Sequence, residues 1–161
     1  MRPAANGQAQ VAIELQRRFR ASPERLFRAW TQPDALRQWW CPAGWAAGEA
    51  EIDLRTGGAY RIEMRRIGAD GPGVAVSGRF LEVRPPERLV FTWRWRGAFA
   101  QMPETLVTLE LSGSESDTLL TLRHDQFTDL ALRSQHRGGW MAACDRLERM
   151  MTPPKRVKPL P

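Results

Sequence analysis

The sequence predicts an α+β protein, an antiparallel sheet of about seven strands whose one apolar face is covered by a long C-terminal helix. Three observations predict it. Residues 10–19 alternate apolar and polar at the period of a strand, six further alternating segments punctuated by turn residues fill residues 49–124, and Asp129 to Met151 carries an apolar stripe at helical spacing. A chain of 161 residues is long enough to form one domain with its own core.

In the first strand Val11, Ile13 and Leu15 face one way and Ala12, Glu14 and Gln16 the other. Ser22 then caps a helix, with Pro23 at its first position and Glu24 in its first turn. A hydroxyl acceptor, a residue that needs no amide partner and a negative charge all suit the exposed amides of a helix start. Leu26, Phe27 and Trp30 follow at helical spacing. Thr31-Gln32-Pro33-Asp34 interrupts this helix, and a second one carries Leu36, Trp39 and Trp40 until Pro42 and Gly44 end the pattern, a pair of about 18 residues in all.

From Glu49 the pattern becomes a meander. Glu49–Leu54 and Tyr60–Ile67 read as a hairpin around Thr56-Gly57-Gly58, with Tyr60, Ile62 and Met64 on one face. Asp70-Gly71-Pro72-Gly73 leads to Val74–Val83, Pro85-Pro86-Glu87 turns the chain again, and Leu89, Phe91, Trp93 and Trp95 alternate against Val90, Thr92 and Arg94. A longer loop with Phe99 and Met102-Pro103 precedes Val107, Leu109 and Leu111, which Ser112-Gly113-Ser114 connects to Leu120, Leu122 and His124. The last helix aligns Leu132, His136, Trp140, Ala143, Cys144, Leu147 and Met151. Gly138-Gly139 in its middle costs about 1 kcal/mol each relative to alanine, and so implies close backbone approach, a kink, or room for something bulky. Residues 1–9 read as a disordered N-terminus, 10–151 as the domain and 152–161 as a basic proline-rich tail.

Apolar residues make up 42% of the chain and charged residues 26%, which excludes a wholly disordered or collagen-like protein. The segment MRPAANGQAQ lacks the apolar region of a secretory signal and no apolar run has the length of a membrane span, so the expectation is a cytoplasmic protein without membrane association. The net charge of +6 is concentrated at the ends. Arg149, Lys155, Arg156 and Lys158 supply four charges and Arg2 a fifth, which leaves residues 11–148 close to neutral and speaks against a specific nucleic-acid partner. Cys41 and Cys144 are far apart in the sequence and belong to no metal-ligand or redox spacing, so both read as reduced thiols and no metal or cofactor is expected. Cys144 falls on the inward helix face, whereas Cys41 beside Pro42 reads as the more exposed thiol. The chain contains no GxSxG, P-loop or HExxH motif.

Several stretches taken together are similar to one family. Ala21-Ser22-Pro23-Glu24 with Phe27-Arg28-Ala29-Trp30, Pro33 to Trp40 with its Trp39-Trp40 pair, and Asp53-Leu54-Arg55-Thr56-Gly57-Gly58 are the first three. Val83 to Leu89 and His136-Arg137-Gly138-Gly139-Trp140 complete the set. In this order, over residues 10 to 151, they resemble the bacterial homologues of the heat-shock protein 90 ATPase activator, within the START-like, Bet v 1-like (SRPBCC) superfamily. The resemblance implies a helix-grip fold, a curved sheet closed around the C-terminal helix. It also implies several kinds of function, because the superfamily includes hydrophobic-ligand binders, polyketide cyclases and chaperone activators.

A sheet curved around one helix tends to leave a cavity. Its inward candidates here are Tyr60, Met64, Phe80, Phe91, Trp93, Trp95, Leu109, Leu122, Phe127 and Trp140, which either fill a core or form the walls of a pocket. Seven tryptophans favour the pocket, since a buried indole N–H needs a partner and makes tryptophan a costly choice for filling space. His124 and His136 are the polar candidates for orienting a ligand, or are structural histidines with internal hydrogen bonds. The leading expectation is a binder of a small hydrophobic or aromatic molecule held between sheet and helix, with no catalysis assumed. The second is a protein-interaction module of the chaperone-activator type. A third is a cofactor-free cyclase or lyase with His124 or Glu63 as acid or base. Asp53 and Arg55 read as a surface ion pair, and the sheet edges with the apolar loop around Phe99 and Met102 admit a homodimer.

Overall fold

In the computed structural model, which describes residues 11–152 and Leu160, the chain runs β1 (Ile13–Phe19), α1 (Pro23–Thr31), α2 (Pro33–Leu36), β2 (Trp45–Ile52), β3 (Ala59–Arg66), β4 (Val74–Arg84), β5 (Arg88–Arg96), β6 (Thr105–Ser114), β7 (Asp117–Asp125) and α3 (Leu130–Met151). The proposed N-terminal segment 1–9 and nearly all of the tail 152–161 lie outside the described residues.

Seven strands form one antiparallel sheet in the order β1-β7-β6-β5-β4-β3-β2, so that the first and second strands of the sequence become its two edges. Only the helix pair between them lets the chain cross from one edge to the other; every other strand connection is a hairpin between neighbours. Register sets the core. Leu15, Leu122, Leu109 and Leu89 fall in one cross-strand row, and Ile13, His124, Val107, Phe91 and Phe80 in the next. All nine are buried, and a one-residue slip would turn them to solvent. The seven-stranded sheet, the long C-terminal helix and the short helix pair constitute the helix-grip fold.

Local chemistry explains the helix starts. The Ser22 hydroxyl accepts from the Arg25 amide with Pro23 at the first helical position, and one Asp129 carboxylate oxygen accepts from the amides of Ala131 and Leu132. Helix α3 is held over the inner face by Trp140, Ala143, Cys144, Leu147 and Met151. Its flank is tied by Arg17 to Asp145 at 2.6 Å and by Arg146 to the Cys41 carbonyl at 2.8 Å.

Three boundaries and the reading of one glycine pair differ from the sequence expectation. Helix α2 ends at Leu36, so Trp39 and Trp40 lie beyond it; their amides both return to the Leu36 carbonyl, in a turn that aims the two rings inward. Strand β2 begins at Trp45 rather than Glu49, pairing Trp45 with Arg66, and a register shift between Ala47 and Ala50 masks the alternation. Ser112-Gly113-Ser114 belongs to β6, paired with Leu119, Thr118 and Asp117, and the turn is Glu115-Ser116. A side chain on Gly113 would run into the Asp117 carbonyl, so this glycine serves a close strand approach. Finally, α3 passes through Gly138-Gly139 without interruption, and a Cβ at either position would meet nothing within 4 Å. Close backbone approach does not explain the pair, and both positions face open space.

Candidate functional site

Six of the seven tryptophans converge under α3. Trp40 stacks on Trp93 with ring centres 5.6 Å apart, Trp140 stacks on Trp30 at 5.7 Å, and Trp93 meets Trp140 at 5.3 Å. Trp39 locks the helix pair into this cluster by donating its indole N–H to the Ala29 carbonyl at 2.9 Å. Only Trp45 stands apart, under the Arg66 guanidinium.

The cluster does not close completely. A cavity of about 190 Å³ opens between it, strands β3 and β5, the loop after β5, and α3. Its walls are Trp40, Pro42, Met64, Trp93, Trp95, Phe99, Met102, Trp140 and Ala143, with Gly139 forming a gap in the helix wall and Gln135 and His136 the polar margin. None of these lining residues is charged. Interiors are normally packed to crystal density, and a cavity of about 150 Å³ holds benzene, so this space admits an aromatic ring with substituents or a small fused ring system.

Two histidines stand behind and beside the cavity, their rings 5.5 Å apart. His124 is fully buried; its Nδ1 accepts the Trp140 indole N–H at 3.0 Å, which places its own proton on Nε2, and Nε2–H donates to the Thr105 hydroxyl at 2.7 Å. His136 has the opposite tautomer. Its Nε2 accepts the Trp95 indole N–H at 2.9 Å and its Nδ1–H donates to the Leu132 carbonyl at 2.7 Å. Burial pushes the pKa of His124 well below the ordinary histidine value, and the neighbouring His136 adds to the effect. Burial lowers His136 as well, against the opposing pull of its bond to the Leu132 carbonyl. Both imidazoles are therefore neutral at pH 7, and all four ring nitrogens are engaged.

The expected site residues divide into four groups. Met64, Trp93, Trp95, His136 and Trp140 line the cavity. His124 and Phe127 lie behind it, with Phe127 packed on both imidazoles at 4.5 and 5.0 Å. Tyr60, Phe80 and Phe91 form a separate aromatic group farther along the sheet around a gap of about 20 Å³, with the Tyr60 hydroxyl donating to the Thr92 carbonyl at 2.6 Å. Leu109 and Leu122 pair across β6 and β7 in the close-packed core and do not border the cavity. Cavity residues that the sequence reading did not include among the site candidates are Trp40, Pro42, Phe99, Met102, Gln135, Gly139 and Ala143. The signals for them are the Trp39-Trp40 pair, the apolar loop and the unexplained double glycine. Helical spacing places the first of these on a helix face, and loop composition places the second at the surface.

Neither proposed acid or base reaches the cavity. Glu63 alternates with inward Ile62 and Met64, faces outward and pairs with Arg61 at 3.1 Å, and His124 has both nitrogens bonded inside the core. Cys41 is also corrected. It is buried, not exposed, and burial raises its thiol to about 11, opposed in part by Arg146; Cys144 is likewise buried and raised to about 11. Neither has a thiolate's reactivity at neutral pH. Asp53 and Arg55 form the expected exposed ion pair, at 2.8 Å. Among the described residues no group of three or more candidate side chains could hold a metal ion, and no helix is long and apolar enough to cross a membrane.

Fold and cavity together define a single helix-grip domain with an aromatic pocket between sheet and C-terminal helix. The sequence pattern of the activator of Hsp90 ATPase homolog 1-like proteins matches residues 20–152, and the chain belongs to this family. Protein CV1439 from Chromobacterium violaceum is similar at 30% identity over 90% of this chain and 99% of its own, with a TM-score of 0.80. The AHSA1 protein of Silicibacter pomeroyi is similar at 26% identity over 86% and 96%, with a TM-score of 0.75. Protein NE0264 from Nitrosomonas europaea is similar at 25% over 88% and 94%, with a TM-score of 0.74. No curated protein matches the chain. At the level of the family, membership supports a ligand-binding or interaction module.

Proposed function

We propose that this protein binds a small hydrophobic or aromatic molecule in the cavity under α3. The observation that carries the reading is the open space of about 190 Å³ left in an otherwise packed tryptophan cluster, bordered on the covering helix by Gly139, where a Cβ would meet nothing within 4 Å. A sequence selected only for stability would fill that space, since both cavities and helical glycines are destabilising. A ligand of about ten heavy atoms at about 0.5 kcal/mol each would bind with roughly 5 kcal/mol, a Kd of a few hundred micromolar.

The test separates binding from folding. Tryptophan fluorescence, corrected for inner-filter effects, is titrated with small aromatics in the wild type, Gly139→Leu and Gly138→Leu. A leucine at 139 projects into the cavity, whereas at 138 it meets open solvent, and both improve helix propensity. Loss of saturable binding in Gly139→Leu alone, with melting temperature held or raised, supports the reading. Equal responses in all three proteins would overturn it.

A second reading, an interaction module acting on a chaperone of the Hsp90 class, has its own support. On the outer sheet face Arg61, Arg79, Arg94 and Arg96 surround a shallow concavity with only Glu51 and Glu104 among them, a surface suited to an acidic partner. Binding of purified chaperone that is lost in Arg79→Glu with Arg94→Glu, and kept in Gly139→Leu, would favour this reading over the first.

A further inference from the structure

The outer face of the sheet carries its charge in two ways. Toward β1 and β7, and at the start of β5, arginines are matched by acids: Arg123 pairs with Glu14 and Asp125, and Arg88 with Glu82 and Glu110. At the other end of β3, β4 and β5 the match fails. Register places Arg61, Ser77 and Arg94 in one outward row across these three strands, with Arg79 and Arg96 on either side of it. Arg61 is neutralised by Glu63 at 3.1 Å, but among the described residues no carboxylate pairs with Arg79, Arg94 or Arg96. All three are exposed. Two of them are held in place, since Arg79 donates to the Gly57 carbonyl at 3.0 Å and Arg96 to the Ser77 hydroxyl at 2.9 Å, and each guanidinium keeps further N–H donors. Small residues, Ala59, Ser77 and Gly78, form the floor between them and make the face concave there. Glu51 and Glu104 also border the concavity, which leaves the arginines in excess.

A second feature narrows the partner. Leu81, 52% exposed, stands on the rim of the same concavity, so cations and an apolar contact lie side by side. Single-stranded nucleic acid needs exposed rings for its bases, and the aromatic residue here, Tyr60, is buried with its hydroxyl donating to the Thr92 carbonyl. A polyphosphate would use the arginines and leave Leu81 in water. A peptide bearing both carboxylates and an apolar side chain uses both features, and the guanidinium fork matches a carboxylate with two parallel hydrogen bonds.

We infer that this face docks an acidic peptide segment of a partner protein, its carboxylates on Arg79, Arg94 and Arg96 and one apolar side chain on Leu81. The inference rests on the interaction reading given above for the face and adds the chemistry of the segment it takes. Trp93 and Trp95 alternate with Arg94 and Arg96 on β5, so the aromatic cavity and the docking face share a strand without sharing a side chain.

Fluorescence anisotropy of labelled probes with the full chain tests this. The probes are the peptide Glu-Glu-Asp-Leu-Asp-Glu, the same peptide with serine in place of leucine, a lysine twin with every acid reversed, and a thymidine oligonucleotide of equal charge. The leucine peptide is expected to bind at least about tenfold tighter than the lysine twin and about threefold tighter than the serine peptide, and to weaken severalfold between about 50 mM and about 200 mM salt. Arg79→Glu with Arg94→Glu should weaken it about tenfold or more, whereas Arg18→Glu with Arg37→Glu, which changes the net charge equally at exposed sites elsewhere, should leave it within about twofold. All four substituted side chains are exposed, so the variants are expected to fold. Equal affinity for the leucine and serine peptides, equal losses in the two double variants, or tighter binding of the oligonucleotide would overturn the inference. The purified chaperone, run in the same assay, separates it from the reading on which it rests. Chaperone binding that depends on Arg79 and Arg94, with no binding of the leucine peptide, would overturn the inference alone, and binding of neither would overturn both.

Discussion

The indole N–H of Trp140, on the C-terminal helix, donates to Nδ1 of His124, on the last strand, at 3.0 Å inside the core. This bond fixes the tautomer of His124, hence the donor role of its Nε2 toward Thr105, and so couples helix position to strand β6 through one imidazole. Buried polar groups joined in this way specify one arrangement, because losing one partner strands the other.

Trp140→Phe keeps an aromatic ring and removes the donor. It should destabilise the fold by about 1–3 kcal/mol, the cost of leaving a buried acceptor unpaired. Adding His124→Leu removes the stranded nitrogen, so the double variant should lose less than the sum of the two single variants in a urea-denaturation cycle. Strict additivity would show that the bond carries no coupling.

Stability should fall on acidification. His124 and His136 both have folded-state pKa values below the unfolded value, so the unfolded chain binds protons first and stability is lost as the pH drops below about 6.5 toward the folded pKa values. For buried His124 the limiting slope is about 1.4 kcal/mol per pH unit. Urea midpoints at pH 5 and pH 7 measure it, and His124→Leu should flatten the dependence if the protein folds.

Gly138→Ala should stabilise the protein by about 0.5–1 kcal/mol, since the new Cβ meets nothing within 4 Å and alanine favours the helix. A thermal melt checks it. Destabilisation would mean that the exposed glycine has a role in the unperturbed helix that its surroundings do not disclose.

Cys41 and Cys144 should resist thiol reagents in the native state. With both thiols buried and raised to about 11, labelling at pH 8 should be slow and should accelerate to the free-cysteine rate in denaturing urea. Fast labelling of Cys41 in buffer would contradict its packed position against the core.

Much of the architecture is legible in local patterns. Alternation at Ile13 and Leu15, at Leu89 to Trp95 and at Leu120 to His124 is set by the two-residue period of a strand, and Ser22-Pro23-Glu24 announces a helix start through short-range hydrogen bonding and charge. The inward face of α3 follows from helical spacing in the same way. Such signals are local, and each depends on residues a few positions apart. Differences cluster where a distant contact overrides the local pattern, as at Trp40, which lies beyond the helix and joins rings from β5 and α3, and at Ser112 to Ser114, which pair as strand despite turn-like composition.

The sequence by itself determined the class of fold, its order of elements and the aromatic character of the interior. Tertiary structure alone decided which aromatic residues surround open space and which fill the core. Tyr60, Phe91 and Trp93 have the same strand periodicity, yet only Trp93 borders the main cavity, because sheet curvature, the inward turn of Trp40 and the bare helix wall at Gly139 coincide there. Periodicity tells which face a side chain takes. The space in front of it depends on elements brought from elsewhere in the chain.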